Sequence, residues 1–345
     1  MKQSEDTAKQ PEFQTAALKH PDSPELAADG DGALPLVSII TPAYNRAKYL
    51  EETIDSVLSQ DYPRIEYIVL DDGSTDGTPE VLARYGSRIR WETHPNMGET
   101  QTVNRGFALA RGELVAVVNS DDPLLPGAVR AAVEVFLERP DVLVAYPDWL
   151  TIDAESKTVR TVQAPDFDYT FMVRRFRCIV GPGAFMRRGA MKRVGSRDSR
   201  YRYVADFDFW LRLGLLGPFT RVERVLATFR VHADSTSVAQ QGQAMAEEHV
   251  ELARQFFGRP DLPPPIRTLE KEARSFAFYY AGLAARPPSR LSWSYFLKAV
   301  ALHPKTAVLK WRLLVLILVP RSLHAVVRSA RRATTKVGTP SRNKN

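Results

Sequence analysis

Between Pro35 and Pro147 the chain repeats one grammar three times: a short, apolar, β-branched run, a polar loop, then an amphipathic helix. This pattern constrains the fold more than any other feature, because strands separated by helices pair in parallel and leave helices on both faces of a doubly wound α/β sheet. The first run is Leu36–Thr41, followed by a helix with Leu50, Ile54, Val57 and Leu58 on one face. The second is Ile65–Leu70, after which Thr78 suits a helix N-cap and Pro79 the first helical position. A helix over Glu99–Ala110 stops at Gly112 and feeds a strand at Leu114–Val118; Pro126 opens the next helix, and Val142–Tyr146 reads as a further strand. Residues 150–200 show no sustained period. Val204–Leu216 reads as a helix burying Phe207, Trp210 and Leu211, and Ala244–Phe257 and Leu269–Ala284 read as helices.

In this arrangement Tyr44-Asn45, Asp71-Asp72 and Ser120-Asp121-Asp122 all follow strand ends, so they converge on the carboxyl edge of the sheet, where open α/β sheets bind ligands. Adjacent carboxylates repel one another and are costly to desolvate without compensation. A hard cation supplies it, and Mg²⁺ or Mn²⁺ is commonly held by one or two carboxylates plus substrate phosphates. The same Asp pair, standing before Pro123, also suits a helix cap. Asp71-Asp72-Gly73-Ser74 sits where a carboxylate after a second strand holds a base or ribose, and its composition equally suits a turn. The loop after the first strand, Thr41–Arg46, lacks the Gly-x-Gly-x-x-Gly pattern, which counts against a dinucleotide fold. On the helix from Val204, Asp208 and Arg212 are spaced for an ion pair. Asp206 is then either free to act as general base or engaged as a cap. His232 is a lone histidine after Phe229-Arg-Val, read as structural unless the neighbouring carboxylates recruit it.

Composition narrows the setting. Apolar residues make up 44% and charged residues 25%, ordinary for a globular protein. The single cysteine, Cys178, excludes an intrachain disulfide and a Cys-rich metal site, and a cytoplasmic, reducing location is expected. Met1–Asp31 is polar, with no apolar run of secretory-signal length, and reads as a disordered tail. Residues 273–345 carry 14 Lys or Arg and no acid, leaving 33 basic against 40 acidic residues upstream. Such an end suggests its own anionic partner. Only seven consecutive apolar residues lie between Arg312 and Pro320, too few to span a bilayer; that segment either lies in a membrane interface or docks on the catalytic domain. Nucleic acid is not an expected partner, since the basic residues are not interleaved with a stacking or groove-reading motif.

Taken together the motifs resemble glycosyltransferase family 2. They run, in order, Val37-Ser-Ile-Ile-Thr-Pro-Ala-Tyr-Asn45, Val69-Leu-Asp-Asp-Gly-Ser74 with Asp76, Asn96-Met-Gly98 with Asn104-Arg-Gly106, Arg111-Gly112, Asn119-Ser-Asp-Asp122, Gly181-Pro-Gly-Ala184, Asp206 and Arg230-Val-His232. The resemblance, from about Pro35 to Ser237, implies the GT-A (nucleotide-diphospho-sugar transferase) fold: a mixed, mostly parallel sheet flanked by helices. It implies that Pro42, Ala43, Tyr44, Asn45, Asp71, Asp72, Asn96, Arg105, Ser120 and Asp121 bind the nucleotide sugar. Asp121, Asp122 and His232 would hold Mg²⁺ or Mn²⁺, Asp206 would be the catalytic base, and Gly183 and Trp210 would lie on the acceptor side. Two departures stand out: Asn119 where many members have Asp, and Ala205 where many have Glu before the base.

The expected organisation is a disordered tail (1–34), a catalytic domain (35–237), a helical C-terminal region with a basic segment (238–330) and a disordered basic tail (331–345). The expected activity is inverting transfer of a sugar, with a UDP-sugar favoured as donor, to a glycan or lipid-linked acceptor in surface polysaccharide, lipopolysaccharide or glycolipid synthesis. Peripheral contact with the anionic inner face of the plasma membrane would follow from the basic end. The alternative is a catalytically inactive binding or scaffold protein of the same fold.

Overall fold

The computed structural model describes residues 34–233, 235, 242–286 and 289–305. The apolar segment near residue 315 and both expected tails, apart from Leu34, lie outside these residues. Eight strands form one sheet: β1 (Val37–Ala43), β2 (Ile65–Asp71), β3 (Arg90–Thr93), β4 (Leu114–Val117), β5 (Val144–Ile152), β6 (Thr158–Val162), β7 (Phe185–Arg187) and β8 (Phe219–Arg230). Their order is β3-β2-β1-β4-β7-β5-β6, with β8 also paired to β5. Pairings among β3, β2, β1 and β4 are parallel, as is β5–β8; β7 is antiparallel to both β4 and β5, and β6 to β5. This is the mixed, mostly parallel sheet expected.

The first half follows the sequence pattern because a central strand covered on both faces reads as a continuous apolar run. Every residue of β1 is buried. Its side chains alternate between two cores: Val37, Ile39 and Ala43 join the cluster under α1 (Ala47–Leu58), α2 (Thr78–Tyr85) and α4 (Ala128–Glu138). Ile40 joins the other, with Val103 and Phe107 of α3 (Glu99–Leu109). Gly106 brings α3 close to β1, since a Cβ there would stand 2.4 Å from Ile40 Cγ2. The N-cap is Gly77, one residue before the expected Thr78, and the Asp76 carboxylate accepts the Thr78 N–H at 2.9 Å, a negative group at the helix N-terminus.

The unassigned stretch 150–200 contains β6, α5 (Tyr169–Arg174), β7 and α6 (Arg188–Val194). β5 begins later than expected and extends to Ile152. α7 (Ala205–Gly214) lies close to its expected bounds. After β8 come α8 (Gln243–Phe257), α9 (Pro264–Arg267), α10 (Glu270–Ala284) and α11 (Arg290–Leu302). Leu252 and Phe256 of α8 and Phe276 of α10 share one core cluster with Phe207 and Phe209 of α7, so these C-terminal helices pack onto the catalytic sheet's own core. Among the described residues no helix is long and apolar enough to cross a membrane.

Candidate active site

The loops after β1 and β2 are tied together at the sheet's carboxyl edge. Asn45 turns the chain with φ +52°, a left-handed conformation that Asn tolerates better than most residues. Its N–H donates to Ser74 Oγ at 2.9 Å, and its side-chain oxygen accepts the Thr75 N–H at 2.8 Å. Pro42 and Ala43 are buried beneath this turn, while Tyr44 is 45% exposed and offers an aromatic face. Asp71 is fully buried; one oxygen accepts the Ser74 N–H, and the other has no hydrogen-bond partner among the described residues. Asp72 accepts the N–H groups of Met97 (2.7 Å) and Gly98 (2.9 Å), and His94 Nδ1 stands 3.5 Å away. Asn96 is exposed beside them, and its backbone nitrogen would meet a Cβ on Gly73 at 2.9 Å. Gly73 also has φ +72°, so a side chain there is excluded twice over.

After β4 the Asp pair divides its work. Asp122 is buried and both its oxygens are engaged, one by the Arg230 backbone N–H at 2.7 Å and the other by the Asn119 amide at 3.0 Å. Burial, with the Asp121 charge beside it, pushes the Asp122 carboxyl above the usual range. Asp122 therefore joins the loop to the end of β8 instead of opening toward a cation. Asn119, where family members commonly have Asp, supplies one of those engaging hydrogen bonds. Asp121 faces outward: its Oδ2 is 2.9 Å from His232 Nε2 and 3.5 Å from Arg46 Nε. Ser120 is buried, with its carbonyl accepting from Thr53 Oγ1 at 3.1 Å.

Arg230 fastens this corner. Its guanidinium is fully buried; it donates to the Asp121 carbonyl (2.9 Å), the Asp153 carbonyl (3.1 Å), Ser156 Oγ (2.8 Å) and Glu52 (2.6 Å), and lies over the Tyr49 ring. Tyr49 also packs against the His232 ring at 4.8 Å. A carboxylate and an imidazole 2.9 Å apart fit Mn²⁺ or Mg²⁺ as a partial ligand set. Among the described residues no group of three or more His, Cys, Asp or Glu gathers as a metal cage, so phosphate oxygens and water would complete the shell.

Asp206 is exposed in the first turn of α7, and one of its oxygens accepts the Phe207 N–H at 2.7 Å. The N-cap position itself is Val204. Asp208 pairs with Arg212 at 2.7 Å, as the spacing predicts, leaving Asp206 outside that pair. The loop that presents Asp206 is held from two sides. Thr100 Oγ1 of α3 donates to the Tyr201 carbonyl at 2.9 Å, and Glu248 of α8 accepts the N–H groups of Arg202 (2.9 Å), Tyr203 (2.7 Å) and Val204 (3.3 Å).

Three expected site residues lie elsewhere. Arg105 is exposed and paired with Glu92 of β3, drawn away from the nucleotide loops by that carboxylate. Trp210 is 6% exposed and packs edge-on against Phe209 and Phe219, so it is a core residue, as its place on the apolar face of α7 dictates. Gly183 is buried with φ +73°, where a Cβ would stand 2.6 Å from Ala227 Cβ; it permits close packing under the Asp pair. Conversely, the sequence alone does not mark Arg46, Glu99 or Glu248 as site residues. Arg46 adjoins the Tyr44-Asn45 motif, the only local signal; the other two are polar residues on helices with nothing in sequence to set them apart.

Comparison with known proteins bears on the family and the fold. The family model described as glycosyl transferase family 2 matches residues 38–195. An uncharacterized glycosyltransferase of Rickettsia typhi is 32% identical over 215 residues, 59% of this chain and 67% of that protein. The hyaluronan synthase of Pasteurella multocida is 27% identical over 66% of this chain, which spans only 23% of that enzyme. Among solved structures, residues 1–349 of S. aureus TarS with UDP-GlcNAc superpose with a TM-score of 0.61 at 17% identity, covering 82% of this chain and 84% of that one. The mannosyltransferase PcManGT of Pyrobaculum calidifontis, with GDP-Man and Mn²⁺, gives 0.55 at 18% identity, covering 88% and 81%. With its motifs, its fold and its relatives in accord, the chain belongs to glycosyltransferase family 2.

Proposed function

We propose that this glycosyltransferase moves a sugar from a nucleotide-diphosphate donor, a UDP-sugar first among them, to an acceptor hydroxyl with inversion at the anomeric carbon. The observation that carries this reading is the division of carboxylates at one sheet edge. Asp121 is set with His232 and Arg46 for a diphosphate and cation, Asp72 and the exposed Tyr44 for the nucleoside, and Asp206 stands open at the head of α7. Asp206 accepts the acceptor's hydroxyl proton as that oxygen forms its bond to the anomeric carbon. The bond from that carbon to the diphosphate oxygen breaks, and the electron pair leaves with the nucleoside diphosphate. Arg46 meets the charge on the departing group. A cation held by Asp121 and His232 would supply further stabilisation of that charge. The relatives that synthesise hyaluronan and chondroitin support a glycan or lipid-linked acceptor in surface polysaccharide or glycolipid synthesis. The basic C-terminal end supports peripheral contact with an anionic membrane face, for which liposome flotation is the test.

The experiment is a panel of UDP-, GDP- and dTDP-sugars, with Mn²⁺ or Mg²⁺, assayed for binding and slow donor hydrolysis. Asp121→Ala is expected to lose cation-dependent binding, and Asp206→Asn to keep binding while losing turnover. Binding to no donor would instead favour the inactive, scaffold reading.

A further inference from the structure

Glu99 is the first residue of α3 and stands between the two ends of the site. On one side of it, the Gly98 N–H is held by Asp72 at 2.9 Å, which fixes the backbone to the nucleoside edge. On the other, Thr100 Oγ1 reaches the Tyr201 carbonyl at 2.9 Å, five residues before Asp206. One turn further along, Asn104 exchanges two hydrogen bonds of 2.8 Å with the backbone of Arg197. Glu99 is exposed and makes no hydrogen bond or ion pair among the described residues. Four charges act on it: Arg197 and Asp206 at the base end, Asp121 and Arg46 at the diphosphate end. Water reaches the carboxylate, yet the surrounding protein desolvates it, and with Asp206 and Asp121 nearby its pKa is raised.

A nucleotide sugar with its diphosphate at Asp121 and its anomeric carbon before Asp206 must pass its hexose between those two ends. Glu99, whose chain neighbours are tied to both ends, stands along that path. A carboxylate accepts hydrogen bonds from hydroxyl groups, and such charge-assisted bonds are the strong ones. It repels a second carboxylate held against it in a desolvated cleft.

We propose that Glu99 is a donor-specificity residue, whose carboxylate receives hydroxyls of a transferred neutral hexose and disfavours donors whose sugar carries a carboxylate. This rests on the transferase reading above and names the sugar class that the same site takes.

The test compares the full-length wild type with Glu99→Gln and Glu99→Ala by titration calorimetry in Mn²⁺. The probes are UDP, UDP-glucose and UDP-glucuronate, with GDP and GDP-mannose in parallel. The variants are expected to bind the bare nucleoside diphosphate within about twofold of wild type. They are expected to lose about tenfold or more in affinity for the neutral-hexose donor relative to the bare nucleotide, the scale of a charged hydrogen bond, and to discriminate less against UDP-glucuronate. An unchanged ratio of hexose donor to bare nucleotide overturns the proposal. So does an equal loss of bare-nucleotide binding in variants with wild-type circular dichroism, which would assign Glu99 to the nucleotide. If the wild type binds no nucleoside diphosphate at all, the transferase reading itself falls; if it binds and the variants are silent, only the role of Glu99 falls.

Discussion

Replacing Glu248 by alanine removes the acceptor of three backbone N–H groups, those of Arg202, Tyr203 and Val204, immediately before the helix that carries Asp206. A hydrogen bond to a charged group contributes roughly 1.5–3 kcal/mol, but Glu248 is half-buried and water replaces part of what is lost, so the three together should cost about 2–4 kcal/mol. For a protein of this size that is a fall in Tm of about 3–6 °C. The loop would keep its anchor to Thr100 but lose its other side, and Asp206 would wander by a fraction of an ångström or more. Misplacement of a reacting group by about 1 Å can cost on the order of a hundredfold in rate. Turnover of donor and acceptor should therefore fall much more than donor affinity. Glu248→Gln retains one acceptor oxygen and should recover part of both losses. Differential scanning fluorimetry and a donor-hydrolysis assay measure the two effects. A Glu248→Ala variant within 2 °C and twofold of wild type would show that the C-terminal helices do not hold the base, and the reasoning would fail.

Arg230→Met should destabilise by about 3–5 kcal/mol, because it strips a buried cation from two carbonyls and Ser156, while Glu52, being partly exposed, relaxes into water. Urea unfolding checks this, and a cost below 1 kcal/mol would mean that the corner is held without it. The Arg221 guanidinium, bonded twice at 2.8 Å, holds the buried Asp148 carboxyl below its ordinary value. A depressed folded-state pKa stabilises above the unfolded value, near about 4, and that stabilisation drains away as pH falls below it. Asp148→Asn should accordingly be less stable than wild type at pH 7, and the gap should narrow between about pH 4 and pH 2; a gap independent of pH would refute the pairing's contribution.

The α/β class was legible because β1, β2 and β4 are apolar runs buried on both faces and their helices repeat with the period of a helix; both signals are local. The convergence of Asp71, Asp72 and Asp121 on one edge was legible too, since direction along a parallel sheet follows from connectivity. Strand β7 was not. It is three residues long, runs antiparallel between β4 and β5, and carries no period of its own. Strand β8, in contrast, is long, but Arg221, Glu223 and Arg224 break its apolar pattern, and Glu223 and Arg224 are exposed.

Within the site, sequence alone determined the residue types and their order along the chain. The tertiary structure decided which carboxylate faces where. Asp121 and Asp122 are neighbours with the same chemistry, yet the backbone of Arg230, more than 100 residues away, engages one and leaves the other to His232. Arg105 turned to Glu92 for the same reason. A charged side chain's partner is chosen by distance in space, and residue spacing along one element reports that distance only within a turn or a strand pair.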